Sequence, residues 1–499
     1  MIDVVSVKTM RISDSAKCNE VSSLFLMYSA ALKIHDSYKW HGNILIVCGS
    51  GNNGGDGFAL ATLLKADGYN INIVMASDKL SNDSKYYYDI CVKNNIKISR
   101  YTDDLSFDGY DVIVDAIFGT GYKGDVSGIY YDIITKINNT KAYIISVDIN
   151  SGLNGDTGMA TLAVKSDLTM SIGTYKTGHF LNMAKDYMKA KINLDIDIPI
   201  IDECYYLLEE KDLINVLKDR KNFSNKGDYG YVALIGGSME YSGAIRLAYM
   251  ANAAVSSGCG VAMAVVPNNI AEIVASNILE ATIYPFEERN GNIVFNKEKL
   301  DYLIKRCEVI TFGMGIKVSD EASKILEYLI LNYDKKLVID ADGITMLSKM
   351  KNMLVESKAK IVLTPHIKEF SRLIESSIDI IYENSIEYVM EFAKSYNVTL
   401  LLKGPSTIVT DGNDLIIVDR GTSGMAKGGS GDVLSGIITG ILGYNDNILL
   451  GVSSSAFING FAGELAEEEN SSITMTSRDT VNNIKKAINI IIKDNKEEI

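Results

Sequence analysis

A glycine-rich loop between an apolar strand and a helix-like stretch places the strongest constraint on the fold. The loop, residues 49–57 (GSGNNGGDG), contains five glycines, two asparagines and one aspartate. The apolar run 43–48 precedes it, and a helix-like stretch (58–68) and a second apolar run (70–76) follow. A strand, a loop, a helix and a second strand within about 35 residues form a βαβ unit, which implies a parallel sheet. The first half of the chain is therefore predicted to be a Rossmann-like, three-layer α/β domain.

Polar residues at the ends of further strands predict a ligand site in this domain. Two more apolar strands, residues 112–117 and 143–148, each carry an aspartate close to a turn that contains glycine. Ligands bind parallel sheets at the carboxyl ends of the strands, so these aspartates and the glycine loop are expected to converge. The loop also contains the GxGxxG pattern of dinucleotide sites, with Asp78 as the candidate ribose acid. Its side-chain oxygens suit a cation or sugar hydroxyls as well, and an ordinary tight turn is the remaining interpretation.

The second half of the chain repeats the α/β pattern around a second glycine-rich loop. After a charged, helix-like bridge at residues 205–221, an apolar strand at 230–236 leads into a small-residue helix at 243–257. Further along, residues 428–431 (GGSG) precede Asp432 and an apolar helix. Backbone N–H groups at such a helix start bind a phosphate or a phosphoryl transition state. Asp432 is then placed to accept the proton of a hydroxyl that attacks phosphorus, or it simply caps the helix.

Charge and composition exclude several functional classes. With 49 basic and 63 acidic side chains, the net charge of −14 argues against general nucleic-acid binding, which needs a basic surface. Bound phosphates must therefore be neutralised by glycine loops, helix ends or cations. No apolar run reaches the roughly 20 residues of a membrane span, and charged residues occupy the place of a signal-peptide core. Six scattered cysteines without a CxxC pair and only four histidines predict free thiols, a cytoplasmic protein and no zinc site.

The motif order in the first half resembles the NAD(P)H-hydrate epimerase domain, over most of residues 1–200. The matching stretches are residues 52–57 (NNGGDG), 115–121 (DAIFGTG) and 147–152 (VDINSG). The resemblance implies a K⁺ ion held by Asn53, Asp115 and Ser151, and it makes Asp148 the candidate for proton transfer. The residues that it implies to contact the hydrated dinucleotide are Asn52, Asn53, Gly54, Gly55, Asp56, Gly119, Thr120, Gly121, Tyr122, Lys123, Gly124, Asp125 and Asp148.

Two motifs depart from this family. Leu26 and Met27 are followed by Tyr28 and Ser29, where the family usually has an acid and an amide, and Asn150 replaces the usual proline of the aspartate loop. The glycine loop itself is intact, so ligand binding is expected to be retained.

The second half resembles the ADP/ATP-dependent NAD(P)H-hydrate dehydratase, a member of the ribokinase-like superfamily, over nearly all of residues 222–460. The matching stretches are residues 226–230 (KGDYG), 236–238 (GGS), 313–315 (GMG), 364–369 (TPHIKE) and 424–432 (GMAKGGSGD). The resemblance implies substrate contacts at Ala244, Gly315, His366 and the catalytic base Asp432. It implies adenine-nucleotide contacts at Lys403, Gly404, Pro405, Ser406, Thr407 and Gly431. Thr422 and Ser423 stand where asparagine and proline are usual.

Together the resemblances predict an epimerase domain at residues 1–210 and an ADP-dependent dehydratase domain at 211–499 with a ribokinase-like α/β fold. The first, an isomerase, would interconvert the R and S hydrates of NADH or NADPH. The second, a lyase, would dehydrate the S-hydrate to NAD(P)H while ADP, carried with Mg²⁺, gives AMP and phosphate, with ATP as an alternative donor. The expected partners are these small molecules, without nucleic acid or membrane, and homo-oligomer formation stays open.

Other functions fit parts of the pattern. The main alternative is a ribokinase-like sugar or vitamin kinase fused to a non-catalytic dinucleotide-binding domain. A non-catalytic sensor of damaged nucleotide is the second, and a simple Rossmann dehydrogenase is disfavoured because no hydride-acceptor site is evident.

Overall fold

The computed structural model describes residues 1–217, 221–255, 259–276, 278–279 and 282–497. Within it the chain divides into two compact units, Asp3–Tyr205 and Tyr206–Ile499, the latter with Met1–Ile2. We call them the N-unit and the C-unit. The boundary predicted between residues 210 and 211 lies just beyond this division, in the short 3₁₀ helix Glu210–Asn215.

The N-unit is built on parallel strands. Its strands are β1 (Ile2–Val5), β2 (Asn43–Cys48), β3 (Asn70–Met75), β4 (Lys97–Arg100), β5 (Val112–Ala116), β6 (Tyr143–Val147), β7 (Ser166–Ile172), β8 (Tyr175–Lys176) and β9 (Met188–Leu194). Seven of them form one parallel sheet in the order β4-β3-β2-β5-β6-β7-β9, and β1 pairs with β8. The chain runs outward from β2 in one direction and from β5 in the other. A crevice therefore opens at the carboxyl ends of β2 and β5, where such sheets bind ligands.

Helices cover both faces of this sheet. They are α1 (Val7–Cys18), α2 (Ser23–Asp36), α3 (Asn52–Ala66), α4 (Asn82–Lys93), α5 (Ile129–Asn138) and α6 (Ala184–Tyr187). After its exposed first residue, all of β2 is buried, as expected for a strand covered on both faces. Separate apolar clusters pack on the two sides of the sheet. The predicted three-layer α/β arrangement is confirmed.

The C-unit has a longer sheet that is mostly parallel. Its strands are β10 (Tyr205–Leu207), β11 (Tyr231–Ile235), β12 (Val261–Pro267), β13 (Thr282–Phe286), β14 (Glu288–Arg289), β15 (Asn292–Ile293), β16 (Val309–Phe312), β17 (Lys336–Ile339), β18 (Lys360–Leu363), β19 (Thr399–Leu402), β20 (Thr407–Thr410) and β21 (Leu415–Val418). The main sheet runs β13-β12-β11-β16-β17-β18-β19-β20-β21-β10, and only β19–β20 and β20–β21 are antiparallel. The chain order reverses between β11 and β16, which places a second crevice at their carboxyl ends.

The helices of the C-unit surround this sheet. They are α7 (Ser242–Val255), α8 (Ala271–Ala275), α9 (Lys297–Arg306), α10 (Asp320–Asn332), α11 (Asp342–Leu347), α12 (Ile367–Ile374), α13 (Ile378–Glu383), α14 (Ser385–Tyr396), α15 (Ser430–Leu442), α16 (Ile448–Asn470) and α17 (Ser477–Glu497). One helix among the described residues, α16, has the length and apolar composition that crossing a membrane requires, but 72% of its apolar window is buried inside the unit. It is a core helix.

One local prediction differs from the structure. The bridge at 205–221 is not one helix, because Tyr206 and Leu207 pair with β21 and leave only the 3₁₀ helix Glu210–Asn215. Residues 218–220 of that bridge lie outside the described residues. So do residues 256 and 257 of the helix predicted at 243–257, whose described part is α7.

One buried lysine fixes the far end of α15. The Lys336 ammonium, at the start of β17, donates to the carbonyl oxygens of Leu442 at 2.9 Å and Asn445 at 2.6 Å. A cation at this end satisfies free carbonyl groups and complements the negative end of the helix dipole.

Candidate active sites

A cavity of about 570 Å³ lies at the carboxyl ends of β2 and β5 in the N-unit. Its lining residues come from the glycine loop, from the loop after β5, from the turn after β6 and from α1 and α2. The predicted contact residues that line it are Asn52, Asn53, Asp56, Gly119, Thr120, Gly121, Tyr122 and Asp148. Lys123, Gly124 and Asp125 are exposed and lie outside this lining.

Gly54 and Gly55 serve backbone packing in the first turn of α3. A Cβ on Gly54 would lie 2.3 Å from the carbonyl oxygen of Gly49, and one on Gly55 would lie 2.5 Å from Cε of Met27. Both distances are too short for any side chain. Neither glycine lines the cavity. Because these two residues have no side chains, the first turn of α3 can lie close to the Gly49 carbonyl and to Met27.

The three predicted cation ligands differ in how many hydrogen bonds their side chains already make. The buried Asp115 carboxylate accepts hydrogen bonds from the Ser151 hydroxyl at 2.5 Å, the Ser151 N–H at 2.9 Å and the Ser146 hydroxyl at 2.9 Å. Asn53, by contrast, is 8% exposed, and neither polar atom of its side chain has a hydrogen-bond partner among the residues that the structure describes. A buried, unsatisfied amide is costly, so its free oxygen fits an absent ligand.

Asp148 is held ionised by a buried lysine. The Lys176 ammonium lies 2.5 Å from one Asp148 oxygen, and the Thr120 N–H donates to the other at 3.2 Å. Although burial alone would raise it, the pKa of Asp148 is lowered because Lys176 favours the carboxylate. Lys176 also donates to the Ser171 hydroxyl and the Ile172 carbonyl, so all three of its protons are used.

Asp14 and Lys176 are site residues that sequence reasoning missed. Both line the cavity, Asp14 from α1 and Lys176 from β8. Burial raises the pKa of the Asp14 carboxyl to about 6, while Lys176 partly offsets and Asp148 adds to this rise. The spacing of Met10, Asp14 and Cys18 by four residues, all on the cavity face of α1, is the signal that could have found Asp14.

The departures from the family pattern have structural explanations. Asn150 is fully buried and its amide nitrogen donates to the Val164 carbonyl at 2.8 Å, while its oxygen accepts from the Thr169 hydroxyl at 2.5 Å. These bonds hold the loop that a proline would otherwise stiffen. Tyr28 is exposed on α2 and does not line the cavity, whereas Met27 beside it does.

In the C-unit, the second glycine loop opens α15. Gly429 has a φ of 96°, in the region that only glycine adopts readily, and α15 begins at Ser430. The Ser430 hydroxyl donates to the Met425 carbonyl at 2.7 Å, and the Ser477 hydroxyl donates to the Gly428 carbonyl at 2.9 Å. These bonds fix the loop and leave the first N–H groups of the helix without intrahelical partners.

A second buried lysine–aspartate pair lies at this helix start. Asp340, which is 1% exposed, binds the Lys403 ammonium at 2.7 Å and also accepts from the hydroxyls of Thr364 at 2.8 Å and Ser435 at 2.6 Å. A Cβ on Gly431 would lie 3.2 Å from the Lys403 nitrogen. The ammonium therefore sits directly against the first turn of α15, where an anion would bind.

Asp432 and His366 complete this group of charged residues. Burial first, and then Asp340 and Asp342, raise the pKa of Asp432 to about 7, against the opposing effect of Lys403. Burial and Lys403 lower the pKa of His366, whose Nδ1 accepts from the Lys368 N–H at 3.0 Å at the start of α12. A carboxyl that titrates near neutral pH beside an anion site is suited to proton transfer.

The remaining predicted residues lie on adjoining loops. Gly315 has a φ of 60°, and a Cβ on it would lie 3.0 Å from Cβ of Ala244, so these two residues adjoin. After β19, Gly404 and Pro405 are exposed, while the Ser406 hydroxyl donates to Asp419 at 2.7 Å and Thr407 begins β20. The structure brings Lys403, Gly431 and Asp432 together.

Comparison with known proteins identifies the family of each half. A family profile described as NAD(P)H-hydrate dehydratase matches residues 232–486, and one described as YjeF-related protein N-terminus matches residues 24–178. Among proteins named bifunctional NAD(P)H-hydrate repair enzyme, that of Thermofilum pendens is 31% identical over 90% of this chain and 88% of its own. The protein of the same name from Archaeoglobus fulgidus is 30% identical over 98% of this chain and 99% of its own length.

Solved structures support the fold of the C-unit. A ribokinase-like superfamily protein from Enterococcus faecalis matches with a TM-score of 0.51 and 22% identity, covering 57% of this chain and 96% of its own. The ADP/ATP-dependent NAD(P)H-hydrate dehydratase of Bacillus subtilis, co-crystallised with ATP/Mg²⁺, matches with a TM-score of 0.50 and 22% identity, covering 57% and 99%. The predicted ribokinase-like fold and the predicted enzyme function are confirmed. The chain belongs to the family of bifunctional NAD(P)H-hydrate repair enzymes.

Proposed function

We propose that this chain repairs hydrated NADH and NADPH in two steps, with the epimerase at residues 1–210 and the dehydratase at 211–499. The observation that carries the proposal is the C-unit arrangement of Asp432, Lys403 and the free N–H groups of α15. It combines a base, a cation and an anion-binding helix start at one point. These are the groups that phosphoryl transfer to a hydroxyl requires.

The dehydratase step follows from the chemistry of the substrate. Hydroxide is a poor leaving group, and its conversion to a phosphate ester makes it a good one. Asp432 accepts the proton of the ring hydroxyl as the hydroxyl oxygen attacks the terminal phosphorus of ADP, and AMP leaves. The ring nitrogen then expels phosphate to leave an iminium ion, and loss of a proton from the adjacent ring carbon forms the carbon–carbon double bond and restores NAD(P)H. Because the pKa of Asp432 is about 7, a large fraction of this carboxyl is ionised at neutral pH and ready to accept a proton.

Residues around the helix start hold the nucleotide. The backbone N–H groups at Gly431 and the Lys403 ammonium bind phosphate oxygens, and the loop of Gly404, Pro405, Ser406 and Thr407 contacts the rest of the nucleotide. His366 and Gly315 face the hydrated dinucleotide. We place ADP as the donor, with ATP as the alternative, and the B. subtilis protein co-crystallised with ATP/Mg²⁺ supports Mg²⁺ as the accompanying ion. Mg²⁺ supplies positive charge to the transferring phosphoryl group.

The N-unit cavity accommodates the epimerase substrate. The unsatisfied Asn53 amide, together with Asp115 and Ser151, fits a K⁺ ion, which supplies a fixed positive charge near the loops. Asp148 and the loop from Gly119 to Tyr122 face the same cavity and are placed to contact the hydrated ring. All six cysteines are free thiols, which supports action in the cytoplasm on small-molecule substrates.

One assay tests the proposal. The purified chain is incubated with separated R and S hydrates of NADH, with and without ADP and Mg²⁺, and the absorbance of reduced nicotinamide is followed. We expect the S-hydrate to give NADH only with ADP, and the R-hydrate to do so after a lag. The Asp432→Asn variant should bind ADP but form no NADH. Phosphorylation of a sugar or vitamin alcohol without NADH formation would instead support the kinase alternative.

A further inference from the structure

We propose that Asp14 of α1, rather than Asp148, is the catalytic residue that exchanges a proton with the substrate hydroxyl in the N-unit cavity. The inference rests on the proposed epimerase function of that unit and adds a residue to its site. It follows from the cavity geometry, from the hydrogen bonds already made by Asp148 and Lys176, and from the free state of the Asp14 carboxylate.

Asp14 is placed at the cavity without a fixed partner. It lines the cavity together with Met10 and Cys18, which lie one helical turn away on each side. Among the described residues, none forms a hydrogen bond or an ion pair with its carboxylate. Asp56, Asp148 and Lys176 line the same cavity from three other elements. A half-buried, unpaired carboxylate that faces a ligand-sized cavity is available to a bound hydroxyl group.

Asp148 is a poorer proton carrier because both of its oxygens are engaged. One oxygen binds Lys176 at 2.5 Å and the other accepts from the Thr120 N–H at 3.2 Å. Protonation of Asp148 would leave the ammonium, which is 1% exposed, without its counter-charge. Lys176 in turn has no free proton, since its other donors bind Ser171 and Ile172. The pair is therefore a fixed dipole that orients substrate.

The remaining groups that face Asp14 explain why its proton is exchangeable. Asp148 on the turn after β6 repels its charge, while Lys176 attracts it. Burial raises the pKa of Asp56, on α3, well above its ordinary value. Cys18 shares its helix and carries a thiol whose pKa is raised by burial and by Asp14 itself. His179 beside Lys176 stays neutral, because burial and Lys176 lower its pKa to about 4. Burial and Asp148 raise the pKa of Asp14 to about 6, against the opposing effect of Lys176.

The unsatisfied amide of Asn53 independently points to a ligand here. Asn53 is 8% exposed and lines the same cavity as Asp14, and no described residue forms a hydrogen bond with either polar atom of its side chain. A Cβ on Gly119 would lie 3.1 Å from Asp148 and 3.4 Å from Asn53, so these side chains meet at one end of the cavity.

The step that Asp14 performs is a reversible ring opening. The hydrated carbon carries a hydroxyl and is bonded to the ring nitrogen. Asp14 takes the hydroxyl proton, the O–H electron pair forms a carbonyl, and the carbon–nitrogen bond breaks with its electron pair moving to nitrogen. Nitrogen then receives the proton from Asp14. Rotation of the free carbonyl and the reverse sequence close the ring on its other face, so no co-reactant is consumed.

The test measures interconversion of purified R and S hydrates of NADH by chromatography, without ADP so that dehydration does not occur. In Asp14→Asn we expect kcat to fall by about 10²–10⁴-fold, the size of a lost acid–base group, with KM nearly unchanged. Asp14→Glu should restore part of the rate. The wild-type kcat/KM should rise with pH through about 6, because the carboxylate is the active form, and this limb should vanish in Asp14→Asn.

Two controls make the outcome decisive. Asp132→Asn removes an exposed carboxylate from α5, outside the cavity lining, and should keep the wild-type epimerisation rate. The Trp40 fluorescence of Asp14→Asn should match that of wild type and reports a folded N-unit, while the ADP-dependent dehydration of the S-hydrate should be unchanged and reports a folded C-unit. Epimerisation by Asp14→Asn within a few-fold of wild type would overturn the role of Asp14 while leaving the epimerase function in place. A wild-type chain that does not interconvert the hydrates would overturn the epimerase function itself.

Discussion

The N-unit and C-unit sites both pair a lysine with an aspartate, but they bury opposite members of the pair. In the N-unit the Lys176 ammonium is 1% exposed and Asp148 is 15% exposed, so the carboxylate faces the ligand. In the C-unit Asp340 is 1% exposed and Lys403 is 22% exposed, so the ammonium faces the ligand. The exposed member sets the sign of charge that each site presents.

This difference matches the two reactions proposed. A site that transfers a phosphoryl group needs a cation at the anion-binding helix start, and Lys403 provides one. A site that only moves a proton on a ring hydroxyl needs no such cation. In both units a second aspartate has a raised pKa, about 6 for Asp14 and about 7 for Asp432. An acidic chain therefore handles two anionic ligands with charges that are local to each site.

The largest expected effect comes from exchanging the two titrating aspartates for asparagine. Asp432→Asn should lower the dehydration kcat by about 10²–10⁴-fold, because the base is lost, and should leave epimerisation intact. Asp14→Asn should do the reverse. Both rates are measured on both variants with separated hydrates. Loss of both activities in either variant would contradict the assignment of one reaction to each unit.

Replacement of the two lysines should have different effects. Loss of Lys176 should mainly lower stability, and loss of Lys403 should mainly weaken nucleotide binding. Lys176→Gln leaves Asp148 without its ammonium in a buried site, and removal of one partner of such a pair costs about 3–5 kcal/mol of unfolding free energy. The single tryptophan, Trp40, is buried in the N-unit core and its fluorescence reports this loss during urea unfolding.

Lys403→Gln should cost less stability, because Asp340 keeps its bonds to Thr364 and Ser435. Its main effect should be a higher KM for ADP, measured by initial rates of NADH formation. If the KM for ADP of Lys403→Gln equalled that of wild type, Lys403 would not contact the nucleotide. The proposed contrast between the ligand-facing Lys403 and the buried Lys176 would then be wrong.

The pH profiles of the two reactions should differ by about the separation of the two aspartate pKa values. The rate of dehydration should rise with pH through about 7 and the rate of epimerisation through about 6, because Asp432 and Asp14 act as bases only when they are ionised. Lys403 lowers the pKa of Asp432, so Lys403→Gln should move the dehydration limb to higher pH. Initial rates between pH 5 and pH 9 measure both limbs. Coincident limbs would show that one shared group controls both reactions.

The smallest expected effect is a gain in stability. The raised pKa of Asp432 means that the folded C-unit disfavours its charge, so at neutral pH and above the ionised group destabilises the fold. Asp432→Asn removes that charge and should stabilise the C-unit by about 1 kcal/mol, as is common for residues kept for activity. Far-UV circular dichroism during thermal unfolding at pH 8 measures the change, and the gain should shrink as the pH falls below about 7 and disappear only below the ordinary aspartate pKa, where Asp432 is protonated in both the folded and the unfolded chain. A less stable variant at pH 8 would assign Asp432 a structural role.

Sequence reasoning reached the features that local pattern encodes. The glycine loops, the parallel strands and the position of Asp432 at a helix start follow from the order of apolar and small residues. At Gly54 and Gly55 the pattern has a second cause, because a glycine needed for backbone packing has the same pattern as one that approaches a ligand.

The missed residues depend on contacts between distant segments. Lys176 lies in a stretch of mixed polar and small residues without a recognisable motif, and its charge partner is 28 residues earlier in the chain, on the turn after another strand. The four-residue spacing of Met10, Asp14 and Cys18 marks one face of α1, but that this face borders the cavity follows only from how α1 packs. The Asp340–Lys403 pair likewise joins residues 63 positions apart. Such pairs become visible only when the sheet register is known.

The lysine at the far end of α15 has a mechanical consequence for the dehydratase site. A helix of 13 residues is about 20 Å long, and the Lys336 ammonium holds the end of α15 that lies opposite the glycine loop. A small rotation of the helix about this held end therefore displaces the glycine loop. A tilt of about 3° at that end would move the glycine loop by about 1 Å, and a displacement of this size at a reacting centre costs about 10²-fold in rate. The side chain that aligns the phosphoryl group can therefore lie at the opposite end of the helix, beyond the reach of any ligand.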